Sequence, residues 1–275
     1  MLTIKVFTTK EYTKHGFASL ANRKSYNFKI IDCKEDILDL EGASVVVLGA
    51  SSGLGFATAV AAAKAGARVA IVGRNAMKVA EAARKIGGSA SWGSFDASNG
   101  EALKGFLDSL ATIDHVVSFV GEQPVATVGE TDHELFQRAL DTRIWTARNA
   151  CVIAAPRMPN HGSFVFCSGI SSVRPRAGRS AGAVATAGLE SFARAMAVEL
   201  APIRVNAICP GPFDTEVLRR AFGEEFSEAT AKISASLPLG RIGLPAELAH
   251  AVIFLMTNTY STGTVLRVDG GSSLI

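Results

Sequence analysis

The stretch that most restricts how this chain can fold is Val45-Val-Val-Leu-Gly-Ala-Ser-Ser-Gly-Leu-Gly55. Its four leading apolar residues, three of them β-branched, predict a short buried strand. Gly49, Gly53 and Gly55 predict a turn that some other group approaches closely, and Phe56 to Ala65 has the composition of a helix. A strand that enters a helix through such a turn aims unpaired N–H groups and the positive end of the helix dipole at one point. That point suits a phosphate. An ordinary tight turn would use the same glycines, so the surrounding chain has to decide between the two.

The surrounding chain repeats the strand–helix unit. Strands are predicted at 43–48, 68–72, 90–95, 114–120, 163–168, 203–209 and 264–268, with helices between them. Such alternation predicts an α/β fold of the Rossmann-like kind, a doubly wound parallel sheet covered on both faces and forming a single domain over 39–275. Ligands of such folds bind beyond the carboxyl ends of the strands. Arg74 lies 19 residues after Gly55, where a dinucleotide fold places the residue facing the adenine ribose. The chain has 275 residues, 48% apolar and 19% charged, enough for the core of one such domain. A net charge of +3 without a patterned basic run argues against nucleic acid, and no apolar run reaches membrane-spanning length.

Residues 1–38 form an N-terminal extension of different character. Within 1–30, six Lys or Arg stand against one acidic residue, Glu11. Thr3 to Phe7 and Tyr26 to Ile31 each fit a short strand, and a flap, a loose tail and an organelle transit segment all remain open. Cys33, Cys151, Cys167 and Cys209 are widely separated, and the last three sit in apolar surroundings. They read as reduced core residues, with no metal site, which makes a cytoplasmic location the expectation.

Two helices carry further detail. Thr131 and Glu134 read as a capping box, followed by one apolar stripe of Phe136, Leu140, Ile144, Ala147, Cys151 and Ala154 on a long helix. Ser180 to Leu200 predicts a second long helix, with Leu189, Phe192, Met196 and Leu200 inward and Glu190 paired with Arg194 outside.

With these features in view, the chain resembles the short-chain dehydrogenase/reductases over roughly 39–275. The markers are Gly49-Ala-Ser-Ser-Gly-Leu-Gly55, Asp96 after the third strand, Gly121 after the fourth, Val205-Asn-Ala-Ile-Cys-Pro-Gly211 with Thr215, Gly240-Arg-Ile-Gly-Leu-Pro-Ala-Glu247, and Val268-Asp-Gly-Gly271. The resemblance implies that Gly49, Ser51, Ser52, Gly53, Leu54 and Gly55 form the phosphate turn and that Asp96, with Ala97, holds the adenine. It implies that Gly121 lets the backbone approach the ribose, while Pro210, Gly211, Phe213 and Thr215 contact the nicotinamide end. Arg74, followed by Asn75, stands where an NAD-preferring relative carries an acidic residue. A guanidinium there suits a 2′-phosphate, so the expected cofactor is NADP(H). Helix capping and a solvated surface arginine are the plainer readings of Thr215 and Arg74.

The chemistry departs from the resemblance. Such enzymes use a Tyr, a Lys four residues later, a Ser thirteen residues before the Tyr and an Asn on the preceding long helix. Aligning Thr186-Ala-Gly-Leu189 and Phe166-Cys-Ser-Gly169 puts Gly182 at the Tyr position, Thr186 at the Lys position and Gly169 at the Ser position. Aligning Phe136 puts Arg143 at the Asn position. Tyr12, Tyr26 and Tyr260 all lie outside the matching segment. The candidates left for catalysis are Arg143, as an anion or oxyanion partner beside an apolar stripe; Ser168 and Ser171, flanking the vacant Ser position; and Glu122 as acid or base at the cleft mouth. Each also has a structural reading, as an ion pair, a loop cap or an exposed carboxylate. Arg174, Arg176 and Arg179 form a possible anion-binding cluster. His115 opens a strand at the end away from the cleft and is set aside.

Three functions stay open: an atypical NADP(H)-dependent oxidoreductase acting on a small organic substrate such as a carbonyl, enone or imine; a lyase, isomerase or cyclase on the same scaffold; and a non-catalytic NADP(H)-binding sensor or partner subunit. The resemblance further implies that the two long helices pair with their copies in a homodimer or homotetramer. The segment from Asp214 to Leu237 is expected to form a lid and carries no diagnostic chemistry.

Overall fold

Strands β1 (Ser44–Leu48), β2 (Arg68–Gly73), β3 (Ser91–Ser94), β4 (His115–Ser118), β5 (Ser163–Cys167), β6 (Arg204–Pro210) and β7 (Val265–Val268) form one sheet in the computed structural model. The structure describes residues 39–87 and 90–275; the N-terminal strands, Cys33 and the targeting reading of residues 1–38 lie outside it. All neighbours run parallel, in the order β3-β2-β1-β4-β5-β6-β7. Each strand begins and ends within two residues of its expected position. The helices are α1 (Gly53–Lys64), α2 (Ala76–Ile86), α3 (Gly100–Asp108), α4 (His133–Leu140), α5 (Thr146–Ala154), α6 (Ser180–Glu199), α7 (Glu216–Phe222), α8 (Phe226–Ser236) and α9 (Pro245–Thr257).

The strands read as near-continuous apolar runs because helices cover both faces. Alternate residues divide between two cores. Val46, Leu48, Val72, Phe164 and Phe166 pack with Leu103, Leu107, Leu189 and Ala193. Val45, Val47, Ile71 and Val165 pack on the other face with Ala59, Ala62, Leu248 and Val252. The chain leaves β1 toward β2 and β3, then returns on the other side of β1 as β4. That reversal opens a crevice at the carboxyl ends of β1 and β4. The two ends come close there: a Cβ on Gly49, whose φ is +80°, would lie 3.1 Å from the carbonyl carbon of Phe119.

Three local expectations are corrected. Helix α4 is capped by Asp132, whose Oδ1 accepts from the Leu135 N–H at 2.7 Å, and not by a Thr131–Glu134 box. A carboxylate one residue nearer the helix matches the dipole better than a hydroxyl. Thr131 donates to Thr127 O, and Glu134 pairs with Arg138. The long helix is interrupted by a π-helical turn, Asp141–Trp145, which adds a residue and rotates Thr142 and Arg143 inward. Glu190 is buried and does not pair with Arg194, which donates to Ser191 Oγ.

Cys151, Cys167 and Cys209 are free and buried. Burial pushes the thiols of Cys151 and Cys167 up to about 12, so they stay protonated. Among the described residues, no helix is long and apolar enough to cross a membrane.

His115 opens β4 with 5% exposure and its Nδ1 2.9 Å from Ser163 Oγ. Burial, reinforced by Arg204, holds its pKa at about 4, below the ordinary 6.5. The unfolded chain therefore takes up this proton at higher pH than the folded chain, so stability rises with pH between about 4 and 6.5 and levels off above. The full span is at most roughly 3 kcal/mol. Urea unfolding at stepped pH is expected to show this decline on acidification and a shallower one in His115→Gln; identical slopes would refute it.

Candidate active site

The turn after β1 is built for close approach. A Cβ on Gly55 would fall 2.3 Å from the carbonyl oxygen of Gly49, so helix α1 begins directly against the end of its strand. Gly53 has φ +60°, which suits glycine. Ser52 is the N-cap of α1 yet makes no side-chain capping bond, and the first turn holds no acidic residue. The leading N–H groups of α1 are thus left for an outside anion. This cradle, which no side chain could enter at Gly55, fits the pyrophosphate of a dinucleotide. Leu54 is half-buried against the core.

A cavity of about 170 Å³ continues from the turn, lined by Gly49, Ser51, Gly73, Arg74, Asp96, Ala97, Gly121, Glu122 and Thr142. The structure therefore gathers most of the expected adenosine-end residues. Arg74 Nη1 pairs with Glu122 Oε1 at 2.9 Å across the cavity, both partly exposed. Glu122 is thereby placed opposite Arg74 at the cavity lined by Asp96 and Ala97. Asn75 is used as the cap of α2, its Oδ1 accepting from the Lys78 N–H at 3.0 Å. Asp96 accepts from both the N–H and the hydroxyl of Ser98. On the other side of the turn, a second cavity of about 330 Å³ is lined by Ser51, Ser52, Gly53, Phe56, Lys78 and Glu216.

At the far end, Pro210 closes β6 and Gly211 lies so near Asp269 that a Cβ would stand 2.6 Å from its Cα. Thr215 Oγ1 accepts from the Leu218 N–H and caps α7, while its methyl rests beside Gly53. Phe213 is 6% exposed, its ring filling the space over Gly243. The chain between Asp214 and Leu237 folds into α7 and α8, with Arg219 held by Asp214 and lying over the Phe226 ring.

The candidate catalytic residues part company. Arg143 is 6% exposed; its Nη1 donates to Cys167 O at 2.8 Å and to Ser168 O at 3.3 Å, while Nε has no partner among the described residues. Burial pulls its pKa below the usual arginine value, and no carboxylate among the described residues pairs with it. It does not snorkel; it caps the end of β5. Its guanidinium also lies on Gly121, where a Cβ would meet Arg143 Cζ at 2.5 Å. Gly121 is thus needed by Arg143, whatever it allows a ribose. Ser168 is 2% exposed and donates to the buried Glu190 carboxylate at 2.7 Å, so the expected substrate contact is corrected. Ser172 donates to the same oxygen. Ser171 stands half-buried in the turn Ile170–Ser172 without a side-chain bond to a described residue.

Of the arginine cluster, Arg174 donates to Ser272 O and Arg179 to Gln123 O. Gly169 lies two residues past β5, with Thr186 of α6 beside it, and Gln123 runs over both Gly169 and Gly182. Sequence reasoning missed both Glu190 and Gln123. The face of small residues Gly182, Thr186, Ala193 and Ala197 could have exposed Glu190 as inward; nothing marks Gln123, which a loop delivers.

Comparison with known proteins agrees with this geometry. Residues 49–273 match a family model described as enoyl-(acyl carrier protein) reductase. The short-chain dehydrogenase/reductase ATR9 of Stachybotrys chlorohalonatus is 31% identical over 253 residues, 86% of this chain and 98% of that one. The chain belongs to the short-chain dehydrogenase/reductase family. As an oxidoreductase family member it also resembles the L-sorbose reductase of Gluconobacter frateurii complexed with NADPH and L-sorbose, at 27% identity and TM-score 0.79 over 85% of this chain and 97% of that one. A short chain oxidoreductase of Pseudomonas aeruginosa, described as containing an atypical catalytic center, superposes with TM-score 0.80 at 28% identity over 85% and 98% of the two chains.

The contact of Arg143 with Gly121 predicts an interaction between their substitutions. Gly121→Ala is expected to destabilise this short-chain dehydrogenase/reductase by about 2 kcal/mol, and by distinctly less in an Arg143→Asn background where the shorter side chain leaves room. Equal losses in denaturant titrations of the two backgrounds would remove the contact.

Proposed function

We propose that this short-chain dehydrogenase/reductase is an NADP(H)-dependent oxidoreductase that moves hydride between the nicotinamide and a small carbonyl, enone or imine without a Tyr–Lys pair. The observation that carries the reading is the turn in which Gly55 meets Gly49 O, with Arg74 at the cavity beside it. A relative described as complexed with NADPH supports it. When bound, the dinucleotide supplies or accepts the hydride. The N–H groups opening α1 would hold its diphosphate, and Arg74, now paired with Glu122, would supply the charge for a 2′-phosphate. Pro210, Gly211 and Thr215 border the nicotinamide end.

Magnitudes make a tyrosine-free hydride transfer reasonable. A positioned general acid contributes about 10²- to 10⁴-fold in rate. Orientation of donor against acceptor supplies about 7–11 kcal/mol, which is larger. Gly169, Gly182 and Thr186 put no titrating group at the Ser, Tyr and Lys positions, so an electrophilic acceptor is the favoured substrate.

Calorimetric titration is expected to show NADPH binding roughly 10- to 100-fold tighter than NADH, with Arg74→Asp removing the preference. Loss of nicotinamide absorbance with a panel of carbonyls, enones and imines supports hydride transfer. Tight binding with no turnover of the panel would select a sensor or partner subunit, and conversion of a substrate without net cofactor change a lyase, isomerase or cyclase.

A homodimer or homotetramer is proposed through the faces of α5 and α6 and the π turn, where Trp145, Val152 and Val184 are exposed. A monomer in sedimentation at micromolar concentration would refute it. The buried free thiols support a reducing, cytoplasmic location.

A further inference from the structure

The two glycines between β5 and α6 are not simply vacant, because the side chain of Gln123 runs over both. A methyl placed on Gly169 would stand 3.0 Å from Gln123 Nε2, and one on Gly182 would stand 3.7 Å from Gln123 Cγ. The loop that delivers this side chain is fastened at two points. Arg179 Nη1 donates to Gln123 O at 3.3 Å, and the Ala126 N–H donates to Gly178 O at 3.0 Å. The polar neighbours are engaged elsewhere: Ser168 with Glu190, Thr186 Oγ1 with Gly182 O at 2.8 Å, and Arg143 with Cys167 O. Gln123 is exposed, and its carboxamide makes no hydrogen bond to a described residue.

We propose that Gln123 is the catalytic residue that binds the acceptor atom of the substrate, a carbonyl oxygen or imine nitrogen, through its carboxamide N–H. The assignment rests on the oxidoreductase reading above. For a carbonyl, hydride from C4 of the reduced nicotinamide forms the new C–H bond, and the C=O π pair moves to oxygen. That oxygen, held by the Gln123 N–H, takes a proton from water, so the products are alcohol, oxidised nicotinamide and hydroxide. A carboxamide stabilises the developing negative charge as an oxyanion-hole donor does. It does not titrate near neutral pH, so this chain needs neither the lysine nor the tyrosine beside it.

Two substitutions test the assignment, each read by turnover and by calorimetric binding of NADPH and of the acceptor to the NADP⁺ complex. Gln123→Ala is expected to lower kcat/KM about 100-fold, the typical loss for one oxyanion donor, and to weaken acceptor binding while leaving NADPH affinity unchanged. Gln123→Glu is expected to be as slow at neutral pH, where its carboxylate repels the developing charge. It should recover on acidification as the carboxyl, ordinarily near pKa ~4.3, becomes a donor. A structural role for Gln123 would give no acid recovery. Gln123→Ala within twofold of wild type, a flat profile for Gln123→Glu, or a matching loss of NADPH affinity would each overturn the assignment alone. Absence of wild-type turnover across the acceptor panel would overturn the oxidoreductase reading and this assignment together.

Discussion

The contact on which the rest of this structure depends is the one that admits no side chain, Gly55 against the carbonyl oxygen of Gly49. Because no Cβ fits there, α1 starts directly at the tip of β1 and lies flat on the sheet, with Ala59 and Ala62 buried against it. The approach works only at the reversal of strand order, where β4 ends beside β1 and Gly49 nearly touches Phe119. Phosphate turn, adenosine cavity and crevice are therefore consequences of one packing constraint, set by residues too small to carry chemistry themselves.

Around that frame, two buried cations lean on carbonyl dipoles and on no carboxylate among the described residues. Arg204 donates to Leu255 O at 2.6 Å and to Met256 O, carbonyls in the last turn of α9, and Arg143 donates to the carbonyls ending β5. Hydrogen bonds to a charged group contribute about 1.5–3 kcal/mol each, which offsets part of the desolvation of a guanidinium. Glu190, from α6, accepts from Ser168 and Ser172 on either side of Gly169. The segment bearing Gly169 is thus held rigidly on two sides even though it bears no reactive group.

How much of this was legible follows from range. Strands such as β1 and β2 announced themselves as β-branched runs, and Gly49 to Gly55 announced the turn, because both signals are local. Helix termini were less secure: Thr131 and Asp132 are both good caps, and only geometry chooses the carboxylate. Glu190 was misread as a surface residue because an i,i+4 Arg194 offered a partner, whereas the decisive hydroxyls come from the connection after β5, 18 or more positions earlier. The π turn that turns Arg143 inward leaves no mark on a 3.6-residue periodicity. Gln123 arrives through loop contacts with Gly178 and Arg179, for which sequence offers no pattern.

The filling of the region by Gln123 and Arg143 limits what else can be placed there. A serine introduced at 169 would crowd the Gln123 amide, and removing Arg143 would strip the carbonyls of Cys167 and Ser168 of their donor. Placing Ser, Tyr, Lys and Asn at 169, 182, 186 and 143 would therefore take four replacements, of which the one at 143 alone removes a donor that two backbone carbonyls share.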